Sequence, residues 1–222
     1  MYSRVIKSVI AATASLVALA PAHAEAGDWI VRLRAILVEP TGNSGDVTPI
    51  FAPGSTVKVG SAIVPELDIT YMWTNNIGTE LILGTSKHKI TGKTGDLNGF
   101  GKIASTWVLP PTLTLQYHFN PDGPIRPYLG AGVNYTIFYS RKADGNLTDV
   151  AGDTSVKMKN SLGYALQAGF DLPVSKKVFV NLDFKYIDMR TTARLETADL
   201  GTLRVRDHLN PLVAGLGIGM RF

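Results

Sequence analysis

The sequence predicts an all-β chain, an eight-stranded antiparallel transmembrane β-barrel with long extracellular loops and short periplasmic turns. Three observations carry this expectation. A secretory signal opens the chain, segments of alternating polarity long enough to cross a bilayer as tilted strands recur along it, and the connections between them alternate between long and short.

Arg4 and Lys7 precede an apolar run from Ser8 to Ala20, and Ala22-His23-Ala24 supplies the small residues of a cleavage site. Residues 1–24 are therefore expected to be a signal peptide and 25–222 the barrel. The run is too short to span a bilayer as a helix, and nothing after residue 25 offers the ~18 consecutive apolar residues a spanning helix needs.

The first predicted strand sets Trp29, Val31, Leu33, Ala35 and Leu37 on one face and Ile30, Arg32, Arg34 and Ile36 on the other. The second sets Leu67, Ile69, Tyr71 and Trp73 against Glu66, Asp68, Thr70 and Met72. Leu81 and Leu83 oppose Glu80 and Ile82 in the third, and Leu113, Leu115, Tyr117 and Phe119 oppose Thr112, Thr114, Gln116 and His118 in the fourth. The fifth places Leu129, Ala131, Val133, Tyr135 and Ile137 opposite Gly130, Gly132, Asn134 and Thr136. The sixth places Leu162 to Phe170 opposite Gly163, Ala165, Gln167 and Gly169. The seventh sets Val178, Val180, Leu182, Phe184 and Tyr186 against Phe179, Asn181, Asp183 and Lys185. The last sets Leu216, Ile218, Met220 and Phe222 against Gly215, Gly217, Gly219 and Arg221.

Long connections are expected over roughly 39–61, 88–104, 141–158 and 190–206, the third with a helical turn, and short ones at 74–76, 120–125 and 173–176. Alternation alone also fits a soluble periplasmic barrel or sandwich. The membrane reading is favoured by the loop asymmetry, by Trp29, Trp73, Phe119, Phe170 and Phe222 near the periplasmic strand ends, and by glycines on the face of a narrow interior.

The 22 Lys plus Arg against 18 Asp plus Glu, less the two cations of the signal, leave a net charge near +2, which does not suggest a nucleic-acid partner. With no cysteine there is no disulfide scaffold. His88, His118 and His208 lack metal-ligand spacing, no cofactor is implied, and no nucleophile, base and orienting acid assemble from the sequence, so no enzyme is expected.

Arg32, Arg34 and Lys185 share the inward face with Glu66, Asp68, Glu80 and Asp183. Unpaired buried charge costs several kcal/mol, so these seven are expected to pair as a nearly neutral plug; a charge gate for ions is the functional alternative. Pro65, Pro110, Pro111 and Pro211 fall inside predicted strands, where each removes a ladder donor. They mark bulges or an early end of pairing or, at 110, 111 and 211, a lateral seam in the wall.

The runs Leu109-Pro-Pro-Thr-Leu-Thr-Leu-Gln-Tyr-His-Phe119 and Arg126-Pro-Tyr-Leu-Gly-Ala-Gly-Val-Asn-Tyr135 resemble the OmpW family of outer-membrane proteins. So do Tyr71-Met-Trp-Thr-Asn-Asn-Ile-Gly-Thr-Glu-Leu81, His88-Lys-Ile90, Lys185-Tyr-Ile-Asp188, and Asn210-Pro-Leu212 leading to Gly217-Ile-Gly-Met-Arg-Phe222. The resemblance implies an eight-stranded barrel in the outer membrane of a Gram-negative-type bacterium, in contact with its lipid, with a narrow conduit for passive uptake of small hydrophobic molecules. An adhesive or structural barrel acting through its loops, or a barrel enzyme with a rim cluster, are the other classes. Ile82 matches a position where a bulky aliphatic narrows the conduit, and Lys185 one that is aromatic in some relatives. With Glu80, Ile36, Phe138 and Phe179 they form the candidate conduit lining. Apolar loop residues Ile50, Phe51, Val57, Leu97 and Phe100 would admit the ligand, which then leaves sideways above the charged layer.

The resemblance also implies that Phe222 is read by the outer-membrane insertion machinery. Deleting Phe222 should leave unfolded protein in the periplasm, checked by loss of the heat-modifiable band on a detergent gel; normal amounts of that band would refute it.

Overall fold

The computed structural model describes residues 25–222, so the signal expected over 1–24 lies outside the described residues. In chain order the strands are β1 (Trp29–Pro40), β2 (Val57–Val59), β3 (Ala62–Met72), β4 (Ile77–Gly84), β5 (Ser86–Gly92), β6 (Lys102–Leu109), β7 (Thr112–His118) and β8 (Arg126–Ala143). After the helix α1 (Gly145–Ala151) come β9 (Thr154–Met158), β10 (Ser161–Pro173), β11 (Val178–Ile187), β12 (Arg190–Thr197), β13 (Gly201–His208) and β14 (Pro211–Arg221).

Eight of these, in the order β10, β11, β14, β1, β3, β4, β7, β8, pair antiparallel with their neighbours, and β8 pairs back to β10 to close the ring. Closure leaves no membrane-level edge, which a strand wall in lipid requires because no water is there to satisfy free N–H and C=O groups. Register is continuous where the first and last strands meet, from Ile30 opposite Arg221 to Pro40 opposite Pro211.

The alternation reads onto the wall as expected. Leu33, Ile63, Leu115, Val133, Leu162, Leu216 and Ile218 point outward and exposed, while Ile30, Arg32, Arg34, Ile36, Gln116, Asn181 and Asp183 are buried inside. Trp29, Trp73, Phe119 and Phe222 ring the periplasmic rim, and Trp107, Tyr135, Tyr139, Tyr164 and Tyr186 lie toward the other, as interfacial aromatics should. Glycine is needed where rings fold across the bore: a Cβ at Gly219 would strike the ring of Phe179, and one at Gly169 the Tyr128 phenol.

The long connections differ from expectation. Outside 39–61, which is irregular apart from β2, they build a second tier of strands, with β5, β6 and the upper half of β8 forming one wall with β2, and β9, β12 and β13 forming the other. The predicted helical turn is α1, within 141–158. The strands run on past the bilayer, where outward positions meet water and turn polar while inward ones stay apolar. Over β12 and β13, Ala193, Leu195, Leu203 and Val205 remain buried between exposed arginines and threonines. These join Val47, Val57, Leu97, Ile103, Leu147 and Ala151 in a core between the two walls.

Asp207 faces inward in this tier, and burial lifts its carboxyl to about 6 against the opposing effect of His208. A carboxyl raised above its unfolded value of about 4 binds its proton more tightly when folded, so this contribution favours folding at low pH and is lost as pH rises through about 6. Asp207→Asn should therefore raise the melting temperature relative to the parent at pH 8 but not at pH 4.5, as read by circular dichroism in detergent.

Candidate functional site

Arg32 and Arg34 stand two residues apart on the inward face of β1, so both guanidinium groups enter the bore at neighbouring heights. Arg32 grips Asp171 through Nη2 at 2.9 Å and donates from Nη1 to Thr70 at 2.8 Å and Glu80 at 3.0 Å. Arg34 donates from Nε to Asn181 at 2.7 Å and from Nη1 to Glu66 at 3.1 Å, and its Nη1 also lies 3.1 Å from Asp68. Lys185 Nζ bridges Glu66 and Asp183, both at 2.6 Å.

Neutral groups complete the layer. Gln116 and Gln167 donate to the Glu80 carboxylate at 2.7 and 2.8 Å, and the Tyr128 hydroxyl donates to Asp183 at 2.7 Å. All seven predicted charges thus meet across the bore. The sequence reading missed Asp171, because it ended the sixth strand at Phe170 whereas β10 runs to Pro173. The same period that places Gln167 and Gly169 inward also places Asp171 there. Five carboxylates then face three cations, and Arg126, directly opposite Asp171, offsets one of the excess charges; Arg221 lies 3.6 Å from a further carboxylate, Asp28, and both arginines are buried beneath the layer. The result is a solid, near-neutral floor across a bore that in eight-stranded barrels holds little more than side chains.

Above the floor lies an apolar chamber. Ile36, Val64, Ile82, Val108, Phe138 and Val213 form its sides, and Glu66 and Lys185 its base. His88 also borders it without offering a free polar atom: Nδ1 donates to the Gly60 carbonyl at 2.7 Å, leaving Nε2 to accept from Ser86 at 2.7 Å. Burial lowers the His88 pKa, which keeps the ring neutral. The chamber leaves about 60 Å³ unfilled, less than half the ~150 Å³ apolar cavity that accepts a benzene in a protein core. An aromatic guest must therefore displace side chains.

Two sequence expectations are corrected by this geometry. Phe179 does not line the chamber: it lies beneath the charged layer with Ile30 and Met72, its ring centroid 5.4 Å from the Arg32 guanidinium. The reason is depth, since Phe179 is near the periplasmic start of β11 and Lys185 lies six residues farther up the same face. The expected apolar entrance is closed as well. Val57 and Leu97 are buried in the upper core, Phe51 and Phe100 pack against it, and of that set Ile50 alone is strongly exposed.

The prolines separate into two cases. Pairing between β4–β5 and β6–β7 stops at Ile82 opposite Thr112 and resumes at Ser86 opposite Val108 in the same register, so the break at Pro110 and Pro111 is an interruption rather than a bulge. Gly84, Thr85 and Pro110 border the chamber at this break. On the other side of the prolines the wall is sealed, because Asn134 Nδ2 donates to the Pro110 carbonyl at 3.2 Å and to Thr112 at 2.8 Å. Pro211 opens no comparable gap. It sits at the first residue of β14 opposite Pro40, and beside it Thr41 and Leu209 supply the cross-links their neighbours lack, with Thr41 N–H bonded to Leu209 and Leu209 N–H to Met189.

A closed eight-stranded wall with an apolar belt, two aromatic rims and a plugged bore defines a small outer-membrane β-barrel. The sequence profile of the OmpW family matches residues 25–222, and the chain belongs to that family. It is 35% identical to outer membrane protein W of Vibrio cholerae over 98% of this chain and all of that one. It is 32% identical to a protein of Pseudomonas aeruginosa named dibenzothiophene metabolism operon protein PahQ, over 98% of this chain and all of that one. The crystal structure of outer membrane protein OprG from Pseudomonas aeruginosa superposes with a TM-score of 0.83 at 30% identity, covering 91% of this chain and 99% of that one. The protein resides in the Gram-negative outer membrane, its outward face against lipid.

Arg34→Met would leave Glu66, Asp68 and Asp183 short of a buried partner. It should destabilise the barrel by about 3–5 kcal/mol, measured by urea unfolding in lipid vesicles, whereas Ile218→Ala on the lipid face should have a far smaller effect.

Proposed function

We propose that this barrel carries small hydrophobic molecules passively into the outer membrane and releases them through its wall. The observation that supports this reading best is the apolar chamber with a charged floor beneath it and an interrupted ladder beside it. A guest in the chamber gains by leaving water, on the order of 25 cal/mol per Å² of apolar surface. It meets at Glu66 and Lys185 a layer that would have to be broken for it to descend further. The wall offers less resistance: Pro110 has no N–H to offer Gly84, and the break is spanned by the Thr85 hydroxyl, which donates to the Val108 carbonyl at 3.2 Å and lies 2.6 Å from the Tyr139 hydroxyl. Relatedness to a protein named for dibenzothiophene metabolism agrees with an aromatic, poorly soluble cargo.

The same floor argues against a water-filled pore. Sugars should not pass, and reconstituted liposomes should not swell in them.

Of Pro110→Val and Pro111→Thr, only the first would point a new N–H across the break, because position 111 faces β8, where its carbonyl accepts from Tyr135; that one bond, at about 1 kcal/mol, should slow lateral exit by roughly fivefold. Uptake of a fluorescent hydrophobic tracer by intact cells should fall by that factor with heat-modifiable barrel unchanged. Undiminished uptake, or ready swelling in sugar, would overturn the route.

A further inference from the structure

The outward face of the upper wall formed by β9, β12 and β13 is strongly cationic. Register sets Arg194 directly between Lys157 on β9 and Arg204 on β13, a row of three cations on adjacent strands. In the next row toward the membrane, Lys159 is bonded through its N–H to Thr192, which pairs with Arg206; in the row below, Arg190 pairs with His208. All these cationic side chains are exposed.

Two of them have local carboxylates, Lys157 with Glu196 at 2.7 Å and Arg190 with Asp188 at 3.2 Å. Among the described residues no carboxylate lies within ion-pair distance of Lys159, Arg194, Arg204 or Arg206. Like charges directly opposite one another weaken a sheet, so this face is costly unless an anion covers it. Of the acids in the same tier, Asp153 and Asp199 lie at its far end, away from the bilayer, and Asp46, on the segment bridged to β13 through Ser44 and Thr48, flanks Arg206 without coming within ion-pair distance of it.

Position identifies the anion. The patch begins within four residues of Tyr186, which with Tyr164 marks the upper aromatic rim, ring centroids 6.1 Å apart. Immediately above the acyl chains of the outer leaflet of this membrane stand the phosphates of a phosphorylated glycolipid of the lipid A type. Arginine forks match phosphate oxygens in pairs, and basic clusters next to a bilayer bind anionic headgroups.

We propose that Lys159, Arg194, Arg204 and Arg206 form a binding site for the phosphorylated headgroup of the outer-leaflet glycolipid. The site lies outside the chamber and rests on the membrane location alone, so it stands or falls separately from the uptake route. Bound glycolipid would brace the upper tier by screening the row of cations.

The test is thermal unfolding of the purified full barrel in detergent, read from the heat-modifiable band, with diphosphoryl lipid A added or the same acylated glycolipid stripped of both phosphates. The parent should be stabilised by the phosphorylated form alone, and 0.5 M salt, on the order of a five-fold increase over ordinary buffer, should remove the difference. Arg194→Ser/Arg204→Ser/Arg206→Ser should need at least about tenfold more lipid A for the same shift, while the Lys triple substitution should retain most of it. Equal stabilisation by both glycolipids, or an unchanged response of the Ser variant, would overturn the site. Equal protection by soluble polyphosphate at matched phosphate concentration would also overturn it, in favour of a soluble polyanion. If the Ser variant does not fold, the salt and dephosphorylation arms with the parent decide the question.

Discussion

The constraint on which the rest depends is that lipid offers no hydrogen bonds. Every backbone N–H and C=O at membrane depth must find a partner in the wall, so the sheet closes through β8 and β10 and the chain alternates inside and outside with period two. Closing on eight strands fixes a bore only as wide as side chains. Everything that points inward must then touch something from across the barrel. That is why Arg32 on β1 reaches Asp171 on β10, and Lys185 on β11 reaches Glu66 on β3.

Within that narrow bore polarity is sorted by height. Charges and amides occupy the middle, a small apolar cluster of Ile30, Met72 and Phe179 lies below beside Arg126 and Arg221, and the chamber lies above. Buried ion networks are weak evidence for stability, because desolvation offsets much of the attraction. Here the network acts as a stopper: its side chains fill the bore and leave no open polar path, with Asp68 held by Arg34 as an ion pair without a hydrogen bond, and an apolar guest gains nothing by descending. The closure rule is relaxed at the break at Pro110 and Pro111, which lies at the height of the apolar chamber.

The second tier obeys the rule differently. Once the strands leave the bilayer, their outward faces meet water and headgroups, so outward positions carry Arg, Lys and Thr while the inward positions still build a core under α1. The same strands thus change partner from acyl chain to aqueous anion within a few residues, with Tyr164 and Tyr186 at the transition.

The sequence by itself determined the wall. Alternation is local, one residue in and the next out, so Leu33 against Arg34 or Phe184 against Lys185 could be assigned from order alone, as could the seven charges that meet in the bore. What the sequence left undecided depends on height and on partners far away in the chain. Phe179 and Lys185 share a face, but only the stagger of the strands puts one below the plug and the other at its top. Asp171 was hidden by a strand end that local pattern does not mark. Pro110 and Pro211 look alike in sequence, yet one interrupts the ladder and the other does not, because the cross-links from Thr41 and Leu209 come from segments roughly 170 residues apart, and only folding brings them together. The upper tier read as loops for a related reason: its outward residues face water, and polar alternation there is recognisable as strand only when the opposing wall that buries Leu195 and Leu203 is in place.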